Sequence, residues 1–150
     1  MGLYTTLSTP DVPAMVPNPR PLALLVDNSE EDALLLRLSM KNAAVDLDLL
    51  VLASGQALRD YILGENSHSK SLRLPSVIFL PGHVDHERST VLQTWLLTQP
   101  QSQHIPIIVL TGGLDPKIFE EAKASGAREC FEKPMTRENW ETVRSLLSLQ

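Results

Sequence analysis

The chain has 150 residues, 43% hydrophobic and 21% charged, which is the composition of one ordinary globular domain and excludes a disordered or low-complexity chain. Its formal net charge of -5, with Lys and Arg dispersed, excludes a dedicated nucleic-acid surface, and the lone Cys130 excludes an internal disulfide or a cysteine zinc cluster. No apolar run approaches the roughly 20 residues of a bilayer span, and no basic start leads into an apolar core as in a signal peptide, so a cytoplasmic protein with no membrane partner is expected.

Residues 1–21 are the one compositionally odd segment. In "STPDVPAMVPNPRP" the prolines remove amide donors and block helix, so this stretch is expected to be an extended, flexible tail, with a partner-binding Pro-rich motif as the alternative. The folded domain is expected over 22–150.

From residue 22 strands and helices alternate. "LALLV" (22–26) is a continuous apolar run, as expected of a strand buried on both faces. A helix follows, with Ser29 as cap, acids in its first turn and Asp32 placed to complete a capping box. "DLDLLVLA" (46–53) reads as a second strand and "GQALRDYILG" as a second helix, followed by the polar loop "ENSHSKSLR" (65–73). "SVIFL" (76–80) is the third strand. "HERSTVLQTWLLT" (86–98) reads as a helix with Val91, Leu92, Trp95 and Leu96 inward. "IPIIVL" (105–110) is a fourth strand, and the next helix has Asp115 as cap, Pro116 at its first position and Gly126 just past its end. "REC" opens a fifth strand, and Thr136 caps a last helix, "RENWETVRSLLSL". The fold class is therefore α/β, a (βα)5 chain with a five-stranded parallel sheet covered on both faces.

In such sheets ligands bind outside the carboxyl ends of the strands, where strand order reverses. The residues there are Asp27-Asn28, Pro81-Gly82, Thr111-Gly112 and Lys133-Pro134. Taken together, in order and in this frame, they resemble the response-regulator receiver domain, over residues 21 to 149. "LALLVDNSEEDALLL" is similar to the first strand and helix of the stand-alone regulators that accompany phytochrome kinases, and the long loop before the third strand fits the same subgroup. The resemblance implies the doubly wound, flavodoxin-like architecture of CheY-like receivers. It further implies two acids after the first strand, a phospho-accepting Asp after the third, Thr or Ser after the fourth and Lys-Pro after the fifth. The separations from 81 to 111 and from 111 to 133, 30 and 22 residues, match that register.

Against the family pattern, the phospho-acceptor position is Pro81, which has no nucleophilic oxygen with which to attack phosphorus. The second acid is Asn28, leaving Asp27 as the carboxylate expected in the cluster, a poor cage for magnesium. The position of the switch aromatic is Cys130. Asp27, Asn28, Thr111 and Lys133 would then be a vestigial acidic and phosphate pocket, with Lys133 expected to bridge Asp27 and Thr111 to satisfy a backbone group. Beyond Pro81, the cluster His83, Asp85, His86 and Glu87 consists of metal-ligand residue types, but the reading adopted is a solvated loop with Asp85 capping the helix after it. Cys130, Trp95 and Trp140 read as core.

The expected function is a stand-alone pseudo-receiver in two-component or phosphorelay signalling, not an enzyme and without cofactor or metal, acting by phosphorylation-independent protein–protein contact. No output domain is expected after the last helix. Partners would be a histidine kinase, a downstream effector or a second copy. The resemblance points for these contacts to the fourth helix, fifth strand and fifth helix. There Lys117, Glu120, Glu121 and Lys123 carry mixed charge, and Leu147 and Leu149 are expected to leave apolar area. The alternatives are phosphotransfer through an unorthodox acceptor such as Asp85, or a flavodoxin-like small-ligand binder.

Overall fold

The computed structural model describes residues 20–64, 73–113 and 115–147. The Pro-rich segment expected to be a tail therefore lies outside the described residues except at its last two positions. Five strands form one parallel sheet: β1 (Leu22–Val26), β2 (Asp48–Leu52), β3 (Val77–Pro81), β6 (Ile107–Thr111) and β7 (Glu129–Glu132). Their order across the sheet is β2-β1-β3-β6-β7, so the chain reverses direction of winding between β1 and β3. This is the expected doubly wound α/β architecture.

Alternation along each strand decides which helices cover which face. Ala23 and Leu25 of β1, Val77 and Phe79 of β3, and Ile108 and Leu110 of β6 point to one side. There they meet Ala33, Leu36 and Met40 of α1 (Glu30–Asn42) and Trp140 and Val143 of α5 (Arg137–Leu147). Leu22, Leu24, Val26, Ile78, Leu80 and Val109 point to the other side, toward α2 (Gly55–Leu63), α3 (Thr90–Thr98) and α4 (Pro116–Ala124). A strand buried twice over must be apolar at every position, which is why β1 and β6 read as unbroken hydrophobic runs.

The helix ends follow from local chemistry. Ser29 Oγ accepts from Asp32 N at 3.1 Å, and Ser54 Oγ accepts from Ala57 N at 3.0 Å. Asp115 Oδ1 accepts from Lys117 N ahead of Pro116, as expected. Thr136 and Asn139 cap α5 reciprocally, each side chain accepting from the other's backbone N–H at 3.0 Å. Gly126 ends α4 at φ +104°, a conformation in which a Cβ would also sit 2.6 Å from Leu97 Cδ1. α5 is latched to the far end of α1: Trp140 Nε1 donates to Ser39 Oγ at 2.9 Å and Arg144 Nη2 to Ala43 O at 2.8 Å. The Trp140 ring also meets Phe79 edge-on, with centroids 5.7 Å apart. No helix among the described residues is long and apolar enough to cross a membrane.

Two expectations fail between residues 83 and 98. The helix does not begin at His86. Residues 83–88 form a small antiparallel hairpin, β4 (His83–Val84) and β5 (Glu87–Arg88), turned through Asp85 at φ +53° and His86 at φ +69°. Two successive left-handed residues are the geometry of a type I′ hairpin turn, and they cannot be accommodated in a helix. Asp85 accordingly does not cap α3. Its Oδ2 accepts from Gly55 N at 2.9 Å, at the first turn of α2, while the Ser89 side chain at the start of α3 makes no capping bond. Within α3, Leu92 and Leu96 are buried and Trp95 packs on the core, but Val91 is exposed and Gln93 takes a buried place, its Nε2 donating to Ala122 O at 3.0 Å.

Replacing Asp85 with Ala removes an acceptor at a helix N-terminus and puts a residue with no local side-chain bond in the left-handed region, so Asp85→Ala is expected to cost about 1–2 kcal/mol. Asp85→Asn keeps an acceptor and tolerates that conformation, and should cost less than half as much. Urea unfolding of the three proteins checks this; equal midpoints for all three would refute the capping role.

Candidate functional site

The carboxyl ends of β1, β3, β6 and β7 bring the expected positions to one edge of the sheet. Pro81 pairs with Leu110, Thr111 pairs with Glu132, and Lys133 N donates to Thr111 O at 2.7 Å. A Cβ on Gly82 would lie 4.0 Å from Thr111 Cγ2, so the loop after β3 runs beside the end of β6. Lys133-Pro134 is a cis peptide. Asp27, Pro81, Thr111 and Lys133 thus stand at the carboxyl ends of β1, β3, β6 and β7.

The ion pairing differs from expectation. Lys133 Nζ binds Asp32 Oδ2 at 3.0 Å, not Asp27. Asp27 Oδ1 instead accepts from Ser29 N at 2.9 Å. This also revises the role of Asp32: its backbone N–H reaches Ser29 Oγ, but the Ser29 N–H that a closed capping box would give to Asp32 goes to Asp27. The freed Asp32 carboxylate leans off the first turn of α1 toward the lysine. Asp32 is therefore a site residue that sequence reasoning missed. The usable signal was its place in the first helical turn after the strand, combined with a lysine short of carboxylate partners.

Burial is the main reason the Asp27 carboxyl is held above its ordinary value of 3.8. The Ser29 N–H opposes this, the nearby Asp32 adds to it both as a charge and as a hydrogen-bond partner, and Lys133 opposes it.

Asp27, Asp32 and Lys133 sit at the mouth of a cavity of about 310 Å³ under α1, on the α1–α5 side of the sheet. Its wall is apolar, supplied by Leu25, Leu35, Leu36, Pro81, Leu110 and Met135, with Ser39 as a polar point. Asn28 is exposed and lines a separate shallow depression with His83, Asp85 and His86. Thr111 is buried and its hydroxyl donates to Gly113 O at 2.7 Å, the strand-end backbone bond expected of it. Cys130 is buried in the cluster under α2–α4, and burial pushes its thiol up to about 11, so it packs as a small hydrophobe.

Magnesium, which the family resemblance implies, does not fit these residues. Pro81 brings no side-chain donor, Asn28 faces elsewhere, Asp27 is engaged by a backbone amide and Asp32 by an ammonium. Among the described residues no three His, Cys, Asp or Glu side chains converge as metal ligands would, the loop after β3 included.

The proposed interface residues are dispersed in their roles. Lys117 is exposed on α4, but Glu121 is tied to Arg88 and Lys123 pairs with Glu129 at 3.7 Å within the chain. Leu147 packs against the α1–α5 cluster, and Leu149 lies outside the described residues. Exposed apolar area appears instead on α1, at Leu34, Leu35 and Leu38, because its leucines continue around more of the helix than the sheet can cover.

A carboxyl whose folded pKa is raised favours the folded state most when protonated. That contribution is present below its ordinary value and is lost as pH rises through the folded value. Wild type should therefore lose stability relative to Asp27→Asn as pH rises from about 4 toward 7, read from urea unfolding at each pH. A difference that is flat or of opposite sign would contradict the assignment.

No family model matches the chain. Response regulator Rcp1 of Synechocystis sp. is 27% identical over 94 residues, 63% of this chain and 63% of its own, so the chain spans somewhat less than two thirds of that relative. Among solved structures, response regulator RPA3017 in red light signaling of R. palustris superposes with TM-score 0.71 at 23% identity, covering 84% of this chain and 90% of that one. The bacteriophytochrome response regulator AtBRR gives 0.74 at 17% identity, covering 89% and 96%. The Mn(2+)-bound form of Rcp1 gives 0.66 at 19%, covering 85% and 92%. The chain has the fold of these response regulators and is similar in sequence to one of them, Rcp1.

Proposed function

We propose that this protein is an atypical receiver, a pseudo-receiver, that acts in two-component signalling through protein–protein contact without accepting a phosphoryl group. The observation that carries the reading is Pro81 at the end of β3, beside a lysine already neutralised by Asp32. An acyl phosphate needs a carboxylate oxygen to attack phosphorus, and the ring of Pro81 offers none. The cationic side chain that would stabilise the product is occupied, and the donor set for a divalent ion is incomplete. Similarity to Rcp1 and to phytochrome-associated regulators supports the signalling context, with a histidine kinase, an effector or a second copy as the partner. Asp85 is a poor substitute acceptor, since its carboxylate caps α2.

Incubation with acetyl phosphate or a cognate kinase is expected to leave no phosphate on the protein by intact mass. A hydroxylamine-labile phosphate within residues 81–87 would overturn the reading.

Pro81→Asp should crowd a third carboxylate against Asp27 and Asp32, lowering stability by like-charge repulsion of about 1 kcal/mol or more. Millimolar magnesium should recover part of that loss in the variant and leave wild-type Tm unchanged. An equal magnesium shift in both proteins, or none in either, would show that the end of β3 is not the position assigned to it.

A further inference from the structure

The cavity under α1 is more than a remnant of the strand-end cluster. Ligand pockets typically run from about 300 Å³ upward, with an apolar wall and a few polar groups that orient the occupant. This one has that make-up: leucine, proline and methionine side chains form the body, and the polar groups gather at one end. That end carries two carboxylates, Asp27 and Asp32, against a single ammonium, Lys133. Lys133 is paired with Asp32, while Asp27 accepts from the Ser29 N–H, and the acids Glu30 and Glu31 of the same helical turn add negative charge to that end of α1. Two carboxylates against one ammonium leave the mouth with a formal net charge of about -1.

We propose that the cavity is a binding site for a small amphipathic amine, its apolar body against Leu35, Leu36, Leu110 and Met135 and its ammonium beside the Asp27 and Asp32 carboxylates. The hydrogen bonds of the ammonium to the two carboxylates are charge-assisted. Burial chiefly, with the neighbouring Asp32 carboxylate adding to it, displaces the Asp27 titration upward. This inference does not depend on the absence of phosphotransfer, since an amine could occupy the cavity whether or not Pro81 blocks acyl-phosphate chemistry.

The cavity carries its own reporter, because Ser39 in its wall accepts the Trp140 indole N–H at 2.9 Å. In a Trp95→Phe background, which leaves Trp140 as the emitting side chain, the protein is titrated with hexylamine, hexanol and hexanoate. Hexylamine should give a saturable change in Trp140 emission, with hexanol at least about tenfold weaker and hexanoate weaker again. Asp27→Asn should erase most of the preference for amine over alcohol. Leu35→Phe, at a half-exposed position where a larger side chain can be tolerated, should fill the mouth and abolish binding of all three without adding a second emitter, with the fold checked by circular dichroism. Equal affinity for amine and alcohol, tighter binding of hexanoate, an amine preference that survives Asp27→Asn, or no saturable response to any probe would each overturn the proposal.

Discussion

The ion pair between Lys133 and Asp32 depends on a constraint set at the opposite level of the structure, the burial of β1, β3 and β6 on both faces. A parallel sheet with helices on both sides has its polar groups only at strand ends, because the strands themselves are filled with Leu, Ile, Val and Phe. All five strands run the same way, so their carboxyl ends share one edge, and the reversal between β1 and β3 opens a crevice there. A charged side chain at that edge finds its counter-ion nearby or pays desolvation, and Lys133 finds Asp32.

That pairing gives the site its character. In a cluster with several unpaired carboxylates, a cation would be drawn in and an incoming phosphoryl group would find a free lysine. Here the ammonium is neutralised from α1, the central position is a proline, and the hydroxyl of Thr111 is turned to Gly113 O. What remains is an apolar cavity with a carboxylate-rich mouth. With Pro81 ending β3, the central strand brings no carboxylate of its own to that edge.

Much of this was legible in the sequence. The two-sided burial of β1 and β6 shows as unbroken apolar runs, and the caps at Ser29, Asp115 and Thr136 were readable because an N-cap is a contact between residues two or three apart. The places of Pro81, Thr111 and Lys133 at strand ends followed from the alternation of apolar runs and helices. What was not legible depended on direction rather than identity. The partner of Lys133 lies 101 positions away, and nothing local distinguishes Asp27 from Asp32 as that partner. The hairpin at 83–88 was hidden because Asp and His take left-handed conformations without announcing them as glycine does, and the contact that holds Asp85 reaches back 30 residues to Gly55. The apolar surface on α1 went unread, because its leucines crowd the helix while only one stripe of it meets the sheet.

The central claim is that the carboxyl edge of the sheet no longer responds to a phosphoryl group. Its most direct test is amide chemical-shift mapping during titration with magnesium and beryllofluoride, a mimic of a bound phosphoryl group. The account predicts no saturable shifts at Thr111, Gly112, Gly113 and Lys133, the amides that line the ends of β6 and β7. Saturable, magnesium-dependent shifts at these residues would contradict it.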